Sequence, residues 1–175
     1  MVSVPSRVVP FIIRATRRNA TFHSEANALK HVRRRAVNPA PYGPPANLRS
    51  DVRVDVRHDN GWPVYTLTPT SSTPVGSVIY LHGGGWVNEI VTQHWKLAAQ
   101  IAAEASTVVT VPIYPLVPFG RSEHVTNRVM AMALGNAETY GSVALAGDSA
   151  GGQIALSTAM ALRDRGMTLP ATVLI

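Results

Sequence analysis

The chain has 175 residues, 46% of them apolar, which is the size of a single domain and enough to build one core. It contains no cysteine, which excludes a disulfide framework and a thiolate zinc site and leaves nothing to indicate an oxidising compartment, so a cytoplasmic location is expected. The net charge of +6 is concentrated ahead of Arg57, including the run Arg33, Arg34 and Arg35; without a nucleic-acid motif or interleaved aromatics it reads as a solvated helix face, and no nucleic-acid partner is expected.

At the N-terminus the longest apolar run, Val8 to Ile13, is broken by Pro10 and ended by Arg14. It is shorter than a signal-peptide core and far short of a transmembrane segment, which leaves at most a weak interfacial contact. From Asn19 to Arg35 the pattern predicts a basic helix with Phe22, Ala26, Leu29 and Val32 along one side. Pro39, Pro41, Pro44 and Pro45 then stop any helix, and a boundary is expected near residue 48. Residues 1–48 form an N-terminal appendage in this reading, and residues 49–175 the start of the main domain.

"VRVDV" and "WPVYTLT" alternate with period two around the turn "HDNG", which predicts a β-hairpin. "SVIYLH" (77–82) and "TVVTVPIY" (107–114) are short apolar runs that read as strands. Between them a helix is expected with Thr92 as its N-cap and Leu97, Ile101 and Ala105 at helical spacing. A further helix falls between Ser122 and Tyr140. It is followed by the strand "VALAG", a helix from about Gly151 to Arg165, and a strand beginning "ATVLI". Strands alternating with helices imply an α/β fold: a mostly parallel sheet with helices on both faces and its chemistry at the carboxyl ends of the strands.

The strand "VALAG" runs into Gly147, Asp148, Ser149, Ala150 and Gly151, which together spell G-x-S-x-G. A serine hydroxyl is a poor nucleophile unless it is held where a base and a carbonyl can both reach it. A sharp strand-to-helix turn holds it there, and glycines two residues either side let the turn close, so Ser149 reads as the tip of a nucleophile elbow. Asp148 is either an acid beside the serine or, in the preferred reading, a hydrogen-bonding brace of the elbow.

The second motif is "HGGGW", His82 to Trp86, directly after a strand. Backbone amides unscreened by side chains can be aimed at a developing oxyanion from such a loop. Gly83, Gly84 and Gly85 are therefore candidates for an oxyanion hole, with Ala150 as a further donor. A phosphate-binding P-loop is excluded because no Gly-Lys-Ser/Thr follows, and a dinucleotide fingerprint because the glycine spacing differs. His82 is read as a brace for the loop, with general base as the minor alternative. Trp86 could either line an acyl pocket or pack under the loop.

Together "HGGGW", "PIYPLVPFG" and "GDSAGG" resemble the hormone-sensitive-lipase-like branch of the α/β-hydrolases, over roughly Val52 to Ile175. The resemblance implies a carboxylesterase or lipase with a small-molecule ester substrate, no metal and no cofactor. It also implies that Ser149 is the nucleophile and that residues before about 48 form part of a cap. Where the family usually reads Tyr-Arg-Leu-Ala-Pro-Glu, this chain reads Tyr114, Pro115, Leu116, Val117, Pro118, Phe119.

In this fold the triad order is Ser, then Asp or Glu, then His. Here the only acid after Ser149 is Asp164, on the helix leaving the elbow and too far along it to serve. All six histidines precede the serine. The chain therefore reads as the N-terminal portion of an esterase lacking the triad acid and histidine. An open sheet edge at its last strand could support self-association. The other hypotheses are an inactive remnant acting as an interaction module, and an amidase or lactonase using the same elbow. His94 and His124 are expected at the surface.

Overall fold

The computed structural model describes residues 23–167 and 171–174. The expectations for the segment 8–14 and for Asn19 to Phe22 fall outside those residues, as does that for Ile175. The chain divides into two units, residues 1–39 and 40–175.

In the first unit, helix α1 spans Glu25–Val37. It begins later than the apolar pattern suggests because the Ser24 side chain caps it, accepting from the Asn27 amide at 3.3 Å. None of its residues is buried, and Leu29 is 47% exposed. The stripe of Ala26, Leu29 and Val32 does not become a core.

The second unit opens with strands β1 (Val52–Asp59) and β2 (Trp62–Pro69), paired antiparallel. The strands run on through His58 and Asp59, so the expected four-residue turn shrinks to Asn60 and Gly61. Both have positive φ, 49° and 83°, the geometry whose twist matches that of a hairpin.

There follow β3 (Ser77–Leu81), α2 (Thr92–Glu104), β4 (Val108–Pro112), α3 (Ser122–Tyr140), β5 (Val143–Gly147), α4 (Ala150–Asp164) and β6 (Ala171–Leu174). The six strands lie in the order β1-β2-β4-β3-β5-β6. Strands β4, β3, β5 and β6 are parallel to one another, and β2 joins β4 antiparallel.

Helix α2 covers one face. Its buried residues are Trp95, Ala98, Ala99 and Ala102, and the alanines let it approach Tyr80, Val109 and Val111 closely. This stripe is displaced from the expected Leu97, Ile101 and Ala105 because Trp95, which also donates to the Tyr42 carbonyl at 3.1 Å, turns the helix toward the sheet. Thr92 is likewise not the N-cap; that position is Val91, and Thr92 is the first helical residue.

Helices α3 and α4 cover the other face, packing Val125, Val129, Met132, Ile154, Ala155 and Leu162 on Val64, Ile79, Leu81 and Leu145. Burying each such large aliphatic side chain contributes about 1.5–3 kcal/mol. From β3 the chain crosses to β4 on one side and then returns to β5 on the other. That reversal makes the carboxyl ends of β3 and β5 the topological switch point of the sheet, where α/β folds place their ligand sites.

Candidate active site

Both serine and glycine loop sit at that switch point. β5 ends at Gly147 and α4 begins at Ala150, so the chain reverses within Asp148 and Ser149. Ser149 carries the strain of the turn, with φ 51° and ψ −117°. It is exposed, whereas Gly147, Ala150 and Gly151 are buried.

The two elbow glycines are required by backbone packing. A Cβ on Gly151 would overlap the carbonyl oxygen of Leu81, and one on Gly147 would lie 2.5 Å from the Gly151 carbonyl carbon and 2.8 Å from the Leu81 oxygen. The end of β3 and the start of α4 thus touch main chain to main chain. Within the turn, the Gly151 amide donates to the Asp148 carbonyl at 2.8 Å.

The loop after β3 turns through Gly84 (φ 130°), Gly85 (φ 64°) and Trp86 (φ 63°). It is closed by the Gly84 carbonyl, which accepts from the amides of Val87 at 3.2 Å and Asn88 at 3.0 Å. The amides of Gly84, Gly85 and Ala150 donate to nothing among the described residues. Gly83 differs from the expectation of an oxyanion donor. Its amide is already given to the Asp148 Oδ1 at 2.9 Å, which makes it a tie between loop and elbow.

Asp148 gathers further donors. The Tyr80 hydroxyl donates to Oδ1 at 2.9 Å, and His94 Nε2 lies 3.4 Å from Oδ2. His94 is therefore not a simple surface residue; its side chain is 17% exposed, and its Nδ1 accepts from the Val91 amide at 3.1 Å. His124 is exposed, with its ring edge-on to Trp62.

His82 lies wholly buried beneath the loop. Its Nδ1 donates to the Gly83 carbonyl at 2.7 Å, the assignment that a carbonyl partner requires. Burial, reinforced by nearby His94, pulls the imidazole down to about 4, so it is neutral at pH 7. Its ring stacks on Tyr114, centroids 4.5 Å apart, and burial holds the Tyr80 and Tyr114 phenols well above their usual range. Trp86 packs edge-on against Tyr114, and its Nε1 donates to Gln153 Oε1 on α4 at 3.0 Å. Among the described residues no three His, Cys, Asp or Glu side chains come together as a metal site.

Residues 78–175 match the family described as alpha/beta hydrolase fold. The chain belongs to the α/β-hydrolase family. It is 36% identical over 116 residues to LipR of Mycobacterium tuberculosis, an acetyl-hydrolase by name, covering 65% of this chain and 38% of that protein. It is 32% identical over 131 residues to the versiconal hemiacetal acetate esterase of Aspergillus parasiticus, covering 72% of this chain and 41% of that one. An esterase-type structure from Staphylococcus aureus shares the fold, with a TM-score of 0.77 at 21% identity over 86% of this chain and 52% of that one. The chain spans about two fifths of the length of the two relatives it matches.

Within this α/β-hydrolase the six-stranded sheet brings Ser149, the glycine loop, Asp148 and the buried His82 together at the carboxyl ends of β3 and β5. Asp164 lies exposed at the far end of α4, paired with Arg163. The residues that sequence reasoning missed are Tyr80, His94, Tyr114 and Gln153. None lies in a spaced motif. The nearest signal was the tyrosine that closes "PIY". The unusual segment after it still reaches the loop, since the Val117 amide donates to the Trp86 carbonyl at 2.9 Å. Among the described residues no helix is long and apolar enough to cross a membrane.

Proposed function

We propose that Ser149 is the nucleophile of a serine ester hydrolase that works through an acyl-enzyme. The observation that carries this reading is the strained, exposed Ser149 at a strand-to-helix turn, beside a glycine loop whose Gly84 and Gly85 amides have no acceptor among the described residues. Attack by the Ser149 oxygen on an ester carbonyl places negative charge on the carbonyl oxygen. The amides of Gly84, Gly85 and Ala150 receive that charge, and the N-terminal end of the 15-residue α4 adds its dipole. Collapse expels the alcohol, and water then hydrolyses the acyl-enzyme.

His82 and His94 are committed to the loop and to Asp148, and neither serves as the base here. All six histidines precede the serine, so the order Ser, acid, His of this fold is not completed within residues 1–175. The names of the acetyl-hydrolase and acetate esterase relatives support short acyl esters, acetyl above all, as the substrate class.

The test is labelling by a fluorophosphonate together with hydrolysis of p-nitrophenyl acetate, in the full-length protein and its Ser149→Ala variant. Label on Ser149 and turnover, both abolished in the variant, are expected. Turnover that survives in Ser149→Ala would sink the assignment.

A further inference from the structure

We propose that His94 is a positioning residue for the oxyanion loop, acting through Asp148. The inference rests on the ester-hydrolase reading for its consequence in the reaction; its structural part stands on contacts alone. The Val91 amide donates to His94 Nδ1 at 3.1 Å, so that nitrogen is the acceptor and the ring's N–H is assigned to Nε2. Nε2 in turn faces Asp148 Oδ2 at 3.4 Å. The first turn of α2 thereby presents an N–H dipole to the carboxylate.

Each oxygen of Asp148 has a separate task. Oδ1 accepts from the Tyr80 hydroxyl and the Gly83 amide, both at 2.9 Å. Oδ2 lies against the α-carbon of Gly83, in the space that a side chain there would fill. Any rotation about Cα–Cβ or Cβ–Cγ carries both oxygens together off the Oδ1 partners, and His94 Nε2, 3.4 Å from Oδ2, adds a contact on the other oxygen that opposes it. His94 therefore reinforces the placement of the carboxylate, the carboxylate holds Gly83, and Gly83 sets where the next two amides point. A loop misplaced by a fraction of an ångström loses oxyanion stabilisation without losing its fold.

His94 touches none of the proposed reacting atoms, so the test needs a readout that separates loop placement from general stability. Hydrogen–deuterium exchange over residues 82–88 and the rate of fluorophosphonate labelling are compared in the full-length protein and its His94→Gln, His94→Asn and His94→Ala variants. The amide of Gln overlays Nε2 and can face Asp148, whereas that of Asn overlays Nδ1 and cannot. Asn and Ala are expected to speed exchange in the loop about tenfold and to slow labelling about tenfold, with Gln near the wild type in both.

Wild-type exchange in His94→Asn, or a Gln variant no better than Asn, would overturn the proposal. If His94→Ala does not fold, the near-isosteric Gln and Asn pair decides. Loop exchange that follows the expected order with no label on Ser149 in any protein, wild type included, supports the role of His94 in placing the loop and counts against the hydrolase reading instead.

Discussion

The Tyr114 hydroxyl donates to the His82 carbonyl at 2.6 Å while its ring stacks on the His82 imidazole, so one side chain holds both the main chain and the side chain at the root of the glycine loop. Tyr114→Phe keeps the stack and leaves a buried carbonyl without its donor. A loss of about 1–3 kcal/mol in unfolding free energy is expected, read from the denaturant midpoint. A midpoint equal to the wild type would mean that the hydroxyl contributes nothing beyond ring packing.

Burial gives His82 a pH signature. Its folded value of about 4 lies below the ordinary 6.5. Between those values the unfolded chain takes up a proton that the folded protein refuses. Stability is therefore unaffected above about pH 6.5 and falls as the pH drops toward 4, by on the order of 3 kcal/mol in all. His82→Asn keeps an N–H near Nδ1 but cannot titrate. The stability difference between wild type and variant should shrink across this window, and a difference independent of pH would contradict the burial argument.

Two glycines in α-helices should respond in opposite directions to alanine. At Gly151 the new Cβ meets the rigid main chain of Leu81 and His82, and a loss of about 3 kcal/mol or more is expected, with failure to fold as the extreme case. At Gly135, exposed in the middle of α3, nothing lies within 4 Å of the new Cβ. There the gain in helix propensity should stabilise by about 0.5–1 kcal/mol. Thermal unfolding of the two variants beside the wild type measures both signs.

Ser149 gives a second contrast. Its left-handed φ of 51° costs on the order of 1–3 kcal/mol in any residue bearing a Cβ. Ser149→Ala keeps that strain, whereas Ser149→Gly relieves it and should raise stability by about 1 kcal/mol over the alanine variant, since glycine's greater unfolded-state entropy offsets part of the gain. Both variants should lose fluorophosphonate labelling. Equal midpoints for Gly and Ala would show that the elbow is unstrained.

Much of this architecture is written locally in the chain. The period-two runs either side of Asn60-Gly61, the apolar run of β5 and the span of α3 each follow from side-chain pattern and backbone preference over a few neighbouring residues. The elbow is legible as a motif because Gly147, Ser149 and Gly151 lie within five residues, although the room those glycines leave is taken up by the main chain of Leu81 on β3. Tertiary structure alone decided how the motifs are joined. Asp148 meets Gly83 and Tyr80 only because β5 lies beside β3, and Tyr114 reaches His82 only because β4 lies on its other side. His94 joins Asp148 because α2 packs its first turn down on that same sheet. Strand order depends on how distant apolar faces pack together, and no spacing along the chain encodes it. That is why the serine and its glycines could be read from the sequence, and the frame of Tyr80, His94 and Tyr114 that holds them could not.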